Sequence, residues 1–295
     1  MKLLKNIYTV LTAALAFSFI ACEEQEGVLE PTQTSTISAI EAAARANSES
    51  YASSEVYVLV HGAWHPEESW HLVKTGLEKA GHTVVTVQLP GLGRDTTPAG
   101  EVSFADHVEV VKETILAVGQ PVILVGHSYG GTVISQAGSD LAPHIKKLVY
   151  VSAFMPQDGQ SQVELSAGDT ESPAVPYLVF QEETLWVQED KLVEIFYTNS
   201  LSNEDPKYDQ EVANILPLLK PHPLGTMFDP IELSEGYYNL EKVYISCLGD
   251  HAITPGYQKS MYSKFPETKV ITMPTADHSP FFSKPNLLIN ILKGL

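Results

Sequence analysis

The sequence predicts an α/β fold with a mostly parallel central sheet. From Val56 onward, short runs rich in β-branched residues alternate with amphipathic stretches, which is the pattern of consecutive strand–helix–strand units. The runs are largely apolar, as expected of strands covered by helices on both faces. One of them, VILV, leads directly into the turn sequence GHSYG and a stretch of small residues.

The predicted elements follow one another along the chain. The strands are Val56–Val60, Thr83–Leu89, Val122–Val125, Lys147–Ser152, Lys242–Cys247 and Lys269–Met273. The helices are Ser69–Ala80, Phe104–Val118, Ser128–Ala137, Tyr257–Lys264 and Asn286–Leu292. Residues 157–236 separate two strands by far more than a crossover requires, which indicates an inserted cap. Trp186 and Phe196 of this cap are candidates for a substrate pocket, although such residues are more often the core of the cap itself.

The N-terminus has the pattern of a signal peptide, predicted for residues 1–21. Lys2 and Lys5 precede an uncharged, mostly apolar run from Ile7 to Ala21, and this run is shorter than the ~20 residues of a spanning helix. The ending FIAC resembles the lipobox of bacterial lipoproteins, which predicts lipidation of Cys22; an ordinary secretory signal is the alternative. We therefore expect an extracytoplasmic protein, anchored by lipid to a bacterial membrane and facing the periplasm or the cell surface.

Composition divides the rest of the chain and excludes some partners. Residues 22–54 are rich in Ser, Thr, Glu and Ala and are predicted to be a flexible tether, followed by one folded domain at 55–295. The chain has 18 Lys and Arg against 36 Asp and Glu, a formal charge of -18. This charge argues against nucleic acid as a partner and favours neutral substrates over anionic ones. Membrane contact is expected only through the lipid.

The strongest motif is Gly126-His127-Ser128-Tyr129-Gly130 at the end of a predicted buried strand. A Gly-x-Ser-x-Gly sequence between a strand and a helix is the nucleophile elbow of the α/β-hydrolase fold. An ordinary tight turn is the alternative for the pentapeptide alone. In this fold an acid and then a histidine follow the serine along the chain.

Two predicted strands near the C-terminus supply this acid and histidine. Asp250 follows the strand KVYISC and His278 follows KVITM, and active sites of α/β proteins form at the carboxyl ends of the strands. His278 would take the proton of Ser128, while Asp250 would orient the imidazole. Asp158, in a loop after another strand, and Asp277 are the alternative acids.

Acyl transfer also requires hydrogen-bond donors for the oxyanion. The amide after the nucleophile belongs to Tyr129, and an early strand continues into His61-Gly62-Ala63, so Ala63 supplies the second predicted amide. His61 is expected to buttress this turn, and Trp64 and His65 after it are further pocket candidates. No set of ligands with metal-binding spacing and no nucleotide-binding motif is recognised, so no metal and no cofactor are predicted.

With the motifs HGAWHPEESW, KAGHTVVTVQLP, LVGHSYGG and SAFMP and the Asp250–His278 spacing, the sequence resembles the plant methylesterase and hydroxynitrile lyase group of α/β-hydrolases. The resemblance covers roughly residues 55–290 and implies the same triad and the same oxyanion amides. In the best-known lyases of the group, Thr follows the first-loop histidine and Lys follows the catalytic histidine. This sequence has Gly62 and Ser279 instead, which favours an esterase.

The leading hypothesis is therefore a cofactor-free serine hydrolase that cleaves a small, neutral carboxylic ester through an acyl-enzyme. One alternative is a hydroxynitrile lyase that uses His278 as a base on a cyanohydrin. The other is a lipid-anchored binding protein that has lost catalysis.

Overall fold

The computed structural model describes residues 54–198 and 206–295. The predicted signal peptide, Cys22 and the tether up to residue 53 lie outside the described residues. The strands are β1 (Val56–Val60), β2 (Thr83–Val87), β3 (Val122–His127), β4 (Ile145–Val151), β5 (Leu178–Phe180), β6 (Thr184–Val187), β7 (His222–Pro223), β8 (Glu241–Cys247) and β9 (Lys269–Met273). The α-helices are α1 (His71–Lys79), α2 (Phe104–Val118), α3 (Gly130–Asp140), α4 (Gln162–Gly168), α5 (Leu192–Phe196), α6 (Pro206–Ile215), α7 (Glu235–Asn239), α8 (Pro255–Tyr262), α9 (Pro280–Ser283) and α10 (Pro285–Lys293).

Six of the strands form one sheet in the order β2-β1-β3-β4-β8-β9. Every neighbouring pair in it is parallel, which confirms the predicted sheet. Because parallel strands end at the same edge, the loops after β1, β3, β8 and β9 meet there. These are the loops that contain the predicted site residues.

Both faces of the sheet are buried, as β1 illustrates. Val56, Val58 and Val60 belong to one core cluster, whereas Tyr57 and Leu59 belong to a second cluster on the opposite face. Successive side chains of a strand point to opposite faces, so a strand covered on both sides must be apolar at every position. The uninterrupted apolar runs of the sequence have this cause.

Helix α2 shows how the sequence fixes an element locally. The hydroxyl of Ser103 accepts a hydrogen bond from the Asp106 amide, and the Asp106 carboxylate accepts one from the Ser103 amide. This capping box pairs amides that the first turn of a helix leaves free. Gly119 ends the helix with a φ of 71°, a left-handed conformation that glycine adopts without steric cost.

Three predicted helix starts are wrong by two residues, and one of these is α8, which begins at Pro255 instead of Tyr257. Helix α3 begins at Gly130 instead of Ser128, because Ser128 has a φ of 52°, which no right-handed helix contains. Helix α1 begins at His71 instead of Ser69, because Glu67–Trp70 form a 3-10 turn.

Between β4 and β8 the chain forms α4 to α7 and a small antiparallel sheet in the order β5-β6-β7. The sequence predicts the long insertion but not this sheet, because its strands have only 3, 4 and 2 residues. Such runs are too short for an alternating pattern to be recognised. Among the described helices, none is long and apolar enough to cross a membrane.

Candidate active site

Ser128 lies in a tight turn between β3 and α3, at the carboxyl edge of the sheet. Its φ of 52° is in the left-handed region, which is strained for a residue with a side chain. A Cβ added to Gly126 would lie 2.5 Å from the carbonyl oxygen of Gly130, and one added to Gly130 would lie 2.7 Å from that of His61. Close backbone contact therefore requires both glycines of the elbow.

Gly62 packs against the same turn from the loop after β1. A Cβ at this position would lie 2.7 Å from the Cβ of Ser128 and 2.9 Å from Nδ1 of His127. Real Cβ contacts are not this short, so a side chain at residue 62 would displace Ser128. The backbone can approach the serine only because residue 62 is glycine.

Asp250 and His278 meet between the loops that follow β8 and β9. His278 Nδ1 lies 2.9 Å from each carboxylate oxygen of Asp250, and both residues are buried, with exposures of 3% for Asp250 and 1% for His278. Oδ1 of Asp250 also accepts hydrogen bonds from the amides of Ala252 and Ile253. Because the ionised carboxylate only accepts, Nδ1 carries the proton and Nε2 is left as the base in the neutral imidazole.

The alternative acids have other partners. Asp158 Oδ1 accepts from the amide of Leu233, and Asp277 Oδ1 accepts from that of Ser279. Of the three candidates, only Asp250 makes a described hydrogen bond to His278.

Ser128 and His278 belong to segments that are in contact. His127, next to the serine, donates from Nε2 to the carbonyl oxygen of His278 over 2.7 Å, and the two imidazole centroids are 4.7 Å apart. Within residues 54–198 and 206–295, the Ser128 hydroxyl makes no hydrogen bond of its own. Catalytic hydrogen bonds of unliganded enzymes are often long and tighten when substrate binds.

Within the described part of the chain, the backbone amides of Ala63 and Tyr129 have no hydrogen-bond acceptor. Both residues line the cavity next to Ser128 and are 3% and 1% exposed. Neither N–H donates a hydrogen bond to any described residue. Buried amides are almost always paired, so these two are suited to an oxygen atom of a bound molecule.

A cavity of about 830 Å³, which includes space open to solvent, extends from Ser128 under the cap. Its lining is mostly apolar, and among the described lining residues none is a lysine, arginine or histidine. The polar members are Ser128, Gln162, Ser166, Asp169 and Ser172. The Asp169 carboxylate is already paired, because it accepts hydrogen bonds from the amide and the hydroxyl of Thr254. The cavity therefore suits an uncharged, hydrophobic molecule.

Comparison with known proteins agrees with this geometry. Residues 57–290 match the alpha/beta hydrolase family. The chain belongs to that family. Methylesterase 7 of Arabidopsis thaliana is 31% identical over 258 residues, covering 80% of this chain and 94% of that protein. Methylesterase 2 of the same plant is 32% identical over 254 residues, covering 81% and 95%.

Solved structures show the same fold. The crystal structure of polyneuridine aldehyde esterase superimposes with a TM-score of 0.71 at 24% identity, covering 81% of this chain and 98% of that one. With the methylesterase relatives, the family match identifies the protein as a carboxylic ester hydrolase.

Of the four predicted pocket residues of this esterase, Trp64 and Phe196 line the cavity. Their rings are in contact, with centroids 5.4 Å apart. The indole Nε1 of Trp64 donates to the carbonyl oxygen of Leu185 over 2.7 Å, which links the loop after β1 to the cap sheet.

His65 and Trp186 do not line the cavity. His65 is buried behind the site, where Nδ1 donates to the Ala63 carbonyl and Nε2 accepts from the Tyr197 hydroxyl. Trp186 neighbours Leu185 on β6, and adjacent side chains of a strand face opposite ways. Leu185 lines the cavity, so Trp186 packs against the other core cluster.

Polar contacts that the sequence did not predict join the cap to the loop of Asp250. The Asp169 carboxylate accepts hydrogen bonds from Thr254, and the Ser172 hydroxyl donates one to the carbonyl oxygen of Ala252. A second omission is Gln258 on α8, whose side-chain amide donates to Asp250. No motif marks these positions.

Proposed function

We propose that this esterase hydrolyses neutral methyl esters of hydrophobic carboxylic acids, with Ser128 as nucleophile, His278 as general base and Asp250 as the orienting acid. The observation that carries the proposal is the buried Asp250–His278 pair beside the elbow. It supplies the base without which a serine hydroxyl is a poor nucleophile.

In the acylation step, Nε2 of His278 removes the proton of Ser128 as Oγ attacks the ester carbonyl carbon. The negative charge that develops on the carbonyl oxygen is stabilised by the amides of Ala63 and Tyr129. The imidazolium then returns the proton to the leaving alcohol, and the acyl group stays on Ser128. Asp250 stabilises the transient positive charge of the imidazolium through Nδ1.

Deacylation repeats the same steps with water as the nucleophile. His278 takes a proton from the water, the same two amides stabilise the second oxyanion, and Ser128 is released as the acid product departs. The imidazole therefore acts as base and then as acid in each half-reaction.

The cavity and the relatives support the proposed substrate. A charged acyl group would lose its hydration among apolar side chains without a counter-ion, which is costly. Two relatives that match about four fifths of the chain are methylesterases, which supports methanol as the leaving alcohol.

A matched pair of esters tests the charge preference. Dimethyl adipate and monomethyl adipate have the same acyl length, but the second has a carboxylate at its far end. We expect kcat/KM for the neutral diester to be at least ~100-fold higher, because leaving a carboxylate unpaired in an apolar site costs about 3 kcal/mol or more. Equal rates for the two esters would contradict the proposed substrate class.

The lyase alternative predicts a different product from the same site. Cyanide release from mandelonitrile at a rate comparable to ester hydrolysis would favour it. Gly62, which packs against Ser128 where the best-known lyases of the group have Thr, supports the esterase.

We also propose that the mature chain begins at Cys22 and is held at a bacterial membrane by lipid on that residue. The support is the sequence of residues 1–22. In a bacterium fed an alkynyl fatty acid, the full-length chain should incorporate the label and fractionate with membranes. Cys22→Ser should lose both properties, whereas Cys247→Ser, which changes the other cysteine of the chain, should keep both; an unchanged Cys22→Ser variant would contradict lipidation there.

A further inference from the structure

Gln258 is a fully buried side chain on α8 with its amide directed at the acid of the site. Its Nε2 lies 2.9 Å from Oδ2 of Asp250, and the residue is 0% exposed. The same Nε2 donates to the carbonyl oxygen of Ile253 over 2.9 Å. The triad described above does not include this contact.

The orientation of the amide follows from its other partners. Its Oε1 faces the backbone N–H of Cys247 and the hydroxyl of Ser246, at 3.2 and 3.0 Å. A backbone N–H can only donate, so the atom facing it is the acceptor oxygen. The opposite atom is therefore the NH₂ group, which must donate to the carboxylate.

The hydrogen bonds of Asp250 are divided between its two oxygens. Oδ1 accepts from the amides of Ala252 and Ile253, whereas Gln258 is the described donor to Oδ2 besides His278. Removing the Gln258 donor would leave Oδ2 dependent on the imidazole alone. A buried carboxylate oxygen that lacks donors is costly, and the carboxylate could then turn about its Cβ–Cγ bond.

We propose that Gln258 is a positioning residue of this esterase: it holds the Asp250 carboxylate in the plane that orients His278 toward Ser128. The inference rests on the triad of the proposed function. It predicts that the chemical step depends on a donor at residue 258, although this side chain is buried behind Asp250 and does not line the cavity.

Gln258→Met keeps the length of the side chain and removes its hydrogen bonds. We expect kcat to fall about 10- to 100-fold, by analogy with the loss observed when the hydrogen-bond partner of a metal-ligating side chain is removed. KM should stay within about twofold, because residue 258 does not contact the cavity and the loss falls on the transition state.

Gln258→Glu tests whether the donor itself matters. A protonated glutamic acid at residue 258 can make both kinds of hydrogen bond that the glutamine makes. Its hydroxyl can donate to Asp250, and its carbonyl oxygen can accept from the backbone amide of Cys247. Ionised glutamate has no donor and adds a charge next to Asp250. Other ionisable groups near residue 258 are His278, which is hydrogen-bonded to Asp250, Asp169, which is hydrogen-bonded to Thr254, and Cys247, whose buried thiol has a raised pKa. The ratio of kcat for Gln258→Glu to that for Gln258→Met should therefore be high at pH 6 and fall as the pH rises.

Met261→Ala is the matched control, because Met261 lies about one turn further along α8 and is a buried residue of the hydrophobic core. It should lower Tm without a loss of kcat per folded molecule. The inference is overturned if Gln258→Met keeps kcat within twofold of the native enzyme, or if both Gln258 variants have equal kcat at every pH. Ser128→Ala in the same assay keeps the two proposals apart: an active Ser128→Ala overturns the triad, whereas an inactive one with an unaffected Gln258→Met overturns only the positioning role.

Discussion

Ser128→Ala is expected to lower kcat for ester hydrolysis by about 10⁶-fold, the loss typical of removing a serine nucleophile. The fold should be unaffected, because alanine meets the same left-handed backbone strain as serine and the Ser128 hydroxyl makes no hydrogen bond to any described residue. The measurement is single-turnover hydrolysis of a p-nitrophenyl ester, with thermal unfolding recorded on the same samples. Any residual rate above that in water would come from the oxyanion amides and substrate binding.

Ser135→Ala is the matched control for this prediction. Ser135 is a buried serine of α3, the helix that follows the Ser128 turn, and its hydroxyl bonds the Gly131 carbonyl and the Tyr150 hydroxyl. Its loss should cost about 1–2 kcal/mol of stability and leave kcat within about twofold. A Ser128→Ala enzyme that retained most of its activity would contradict the acyl-enzyme mechanism.

The three triad positions act as one unit, so their effects should not add. The double variant Ser128→Ala, His278→Ala is expected to have about the same rate as Ser128→Ala alone, because the base has no function without its nucleophile. A serine-directed fluorophosphonate should label the native enzyme and fail to label either variant.

The central sheet and the candidate triad could be predicted because they depend on rules that act along the chain. Parallel strands end at one edge, so the loops after β3, β8 and β9 lie at that edge wherever the helices lie. Ser128, Asp250 and His278 belong to these loops, and the order serine, acid, histidine restricted the choice further.

The cap could not be predicted in the same detail, since its side chains are sorted by tertiary contacts. Leu185 and Trp186 are consecutive apolar residues of β6. Only the orientation of this strand decides which of the two side chains faces the cavity. His65 follows Trp64, whose φ of 65° changes the direction of the chain after the oxyanion turn. A tryptophan with a backbone in the left-handed region is uncommon, and no pattern in the sequence predicts this conformation.

The position of Gln258 could be predicted in part from the sequence, but its hydrogen-bond partner could not. It is three positions before the buried Met261, so helical spacing places both on the inward face of α8. A polar residue at an inward position indicates a buried hydrogen bond. Its partner, Asp250, becomes evident only when the loop after β8 folds back on the helix.

Acid is expected to unfold this esterase steeply, because several buried histidines are neutral in the folded state. Burial lowers the pKa of His61 to about 3 and the pKa values of His65 and His107 to about 4. It also lowers the pKa values of His127 and His222 well below 6.5. In the unfolded chain each imidazole binds a proton near pH 6.5.

The hydrogen bonds of these histidines agree with the neutral form. In His107, Nε2 donates to the carbonyl oxygen of Pro90 and Nδ1 accepts from the Tyr129 hydroxyl. In His61, Nδ1 donates to the Gly62 carbonyl and Nε2 accepts from the Leu89 amide. A second proton would place a donor against a donor at the accepting nitrogen, so protonation breaks contacts around the oxyanion loop.

The direction of the effect follows from proton binding. Between about pH 6.5 and pH 4 the unfolded state binds protons that the folded state does not, so the free energy of unfolding decreases as the pH falls. Each such histidine contributes a slope of about 1.4 kcal/mol per pH unit. Several acting together would remove a stability of about 5–15 kcal/mol within two pH units, so we expect unfolding near pH 5.

Denaturant unfolding between pH 5 and pH 8 measures this slope, and single substitutions assign it. Removing one buried imidazole by His107→Gln should reduce the slope below pH 6.5 by about 1.4 kcal/mol per pH unit, whatever its effect on stability at pH 8. His144→Gln, at an exposed position, should leave the slope unchanged. Identical slopes for the native enzyme and His107→Gln would mean that the buried imidazole is protonated in the folded state. In that case the acid sensitivity would have to come from other groups, and the same substitution at His61, His65, His127 and His222 would test the remaining buried imidazoles.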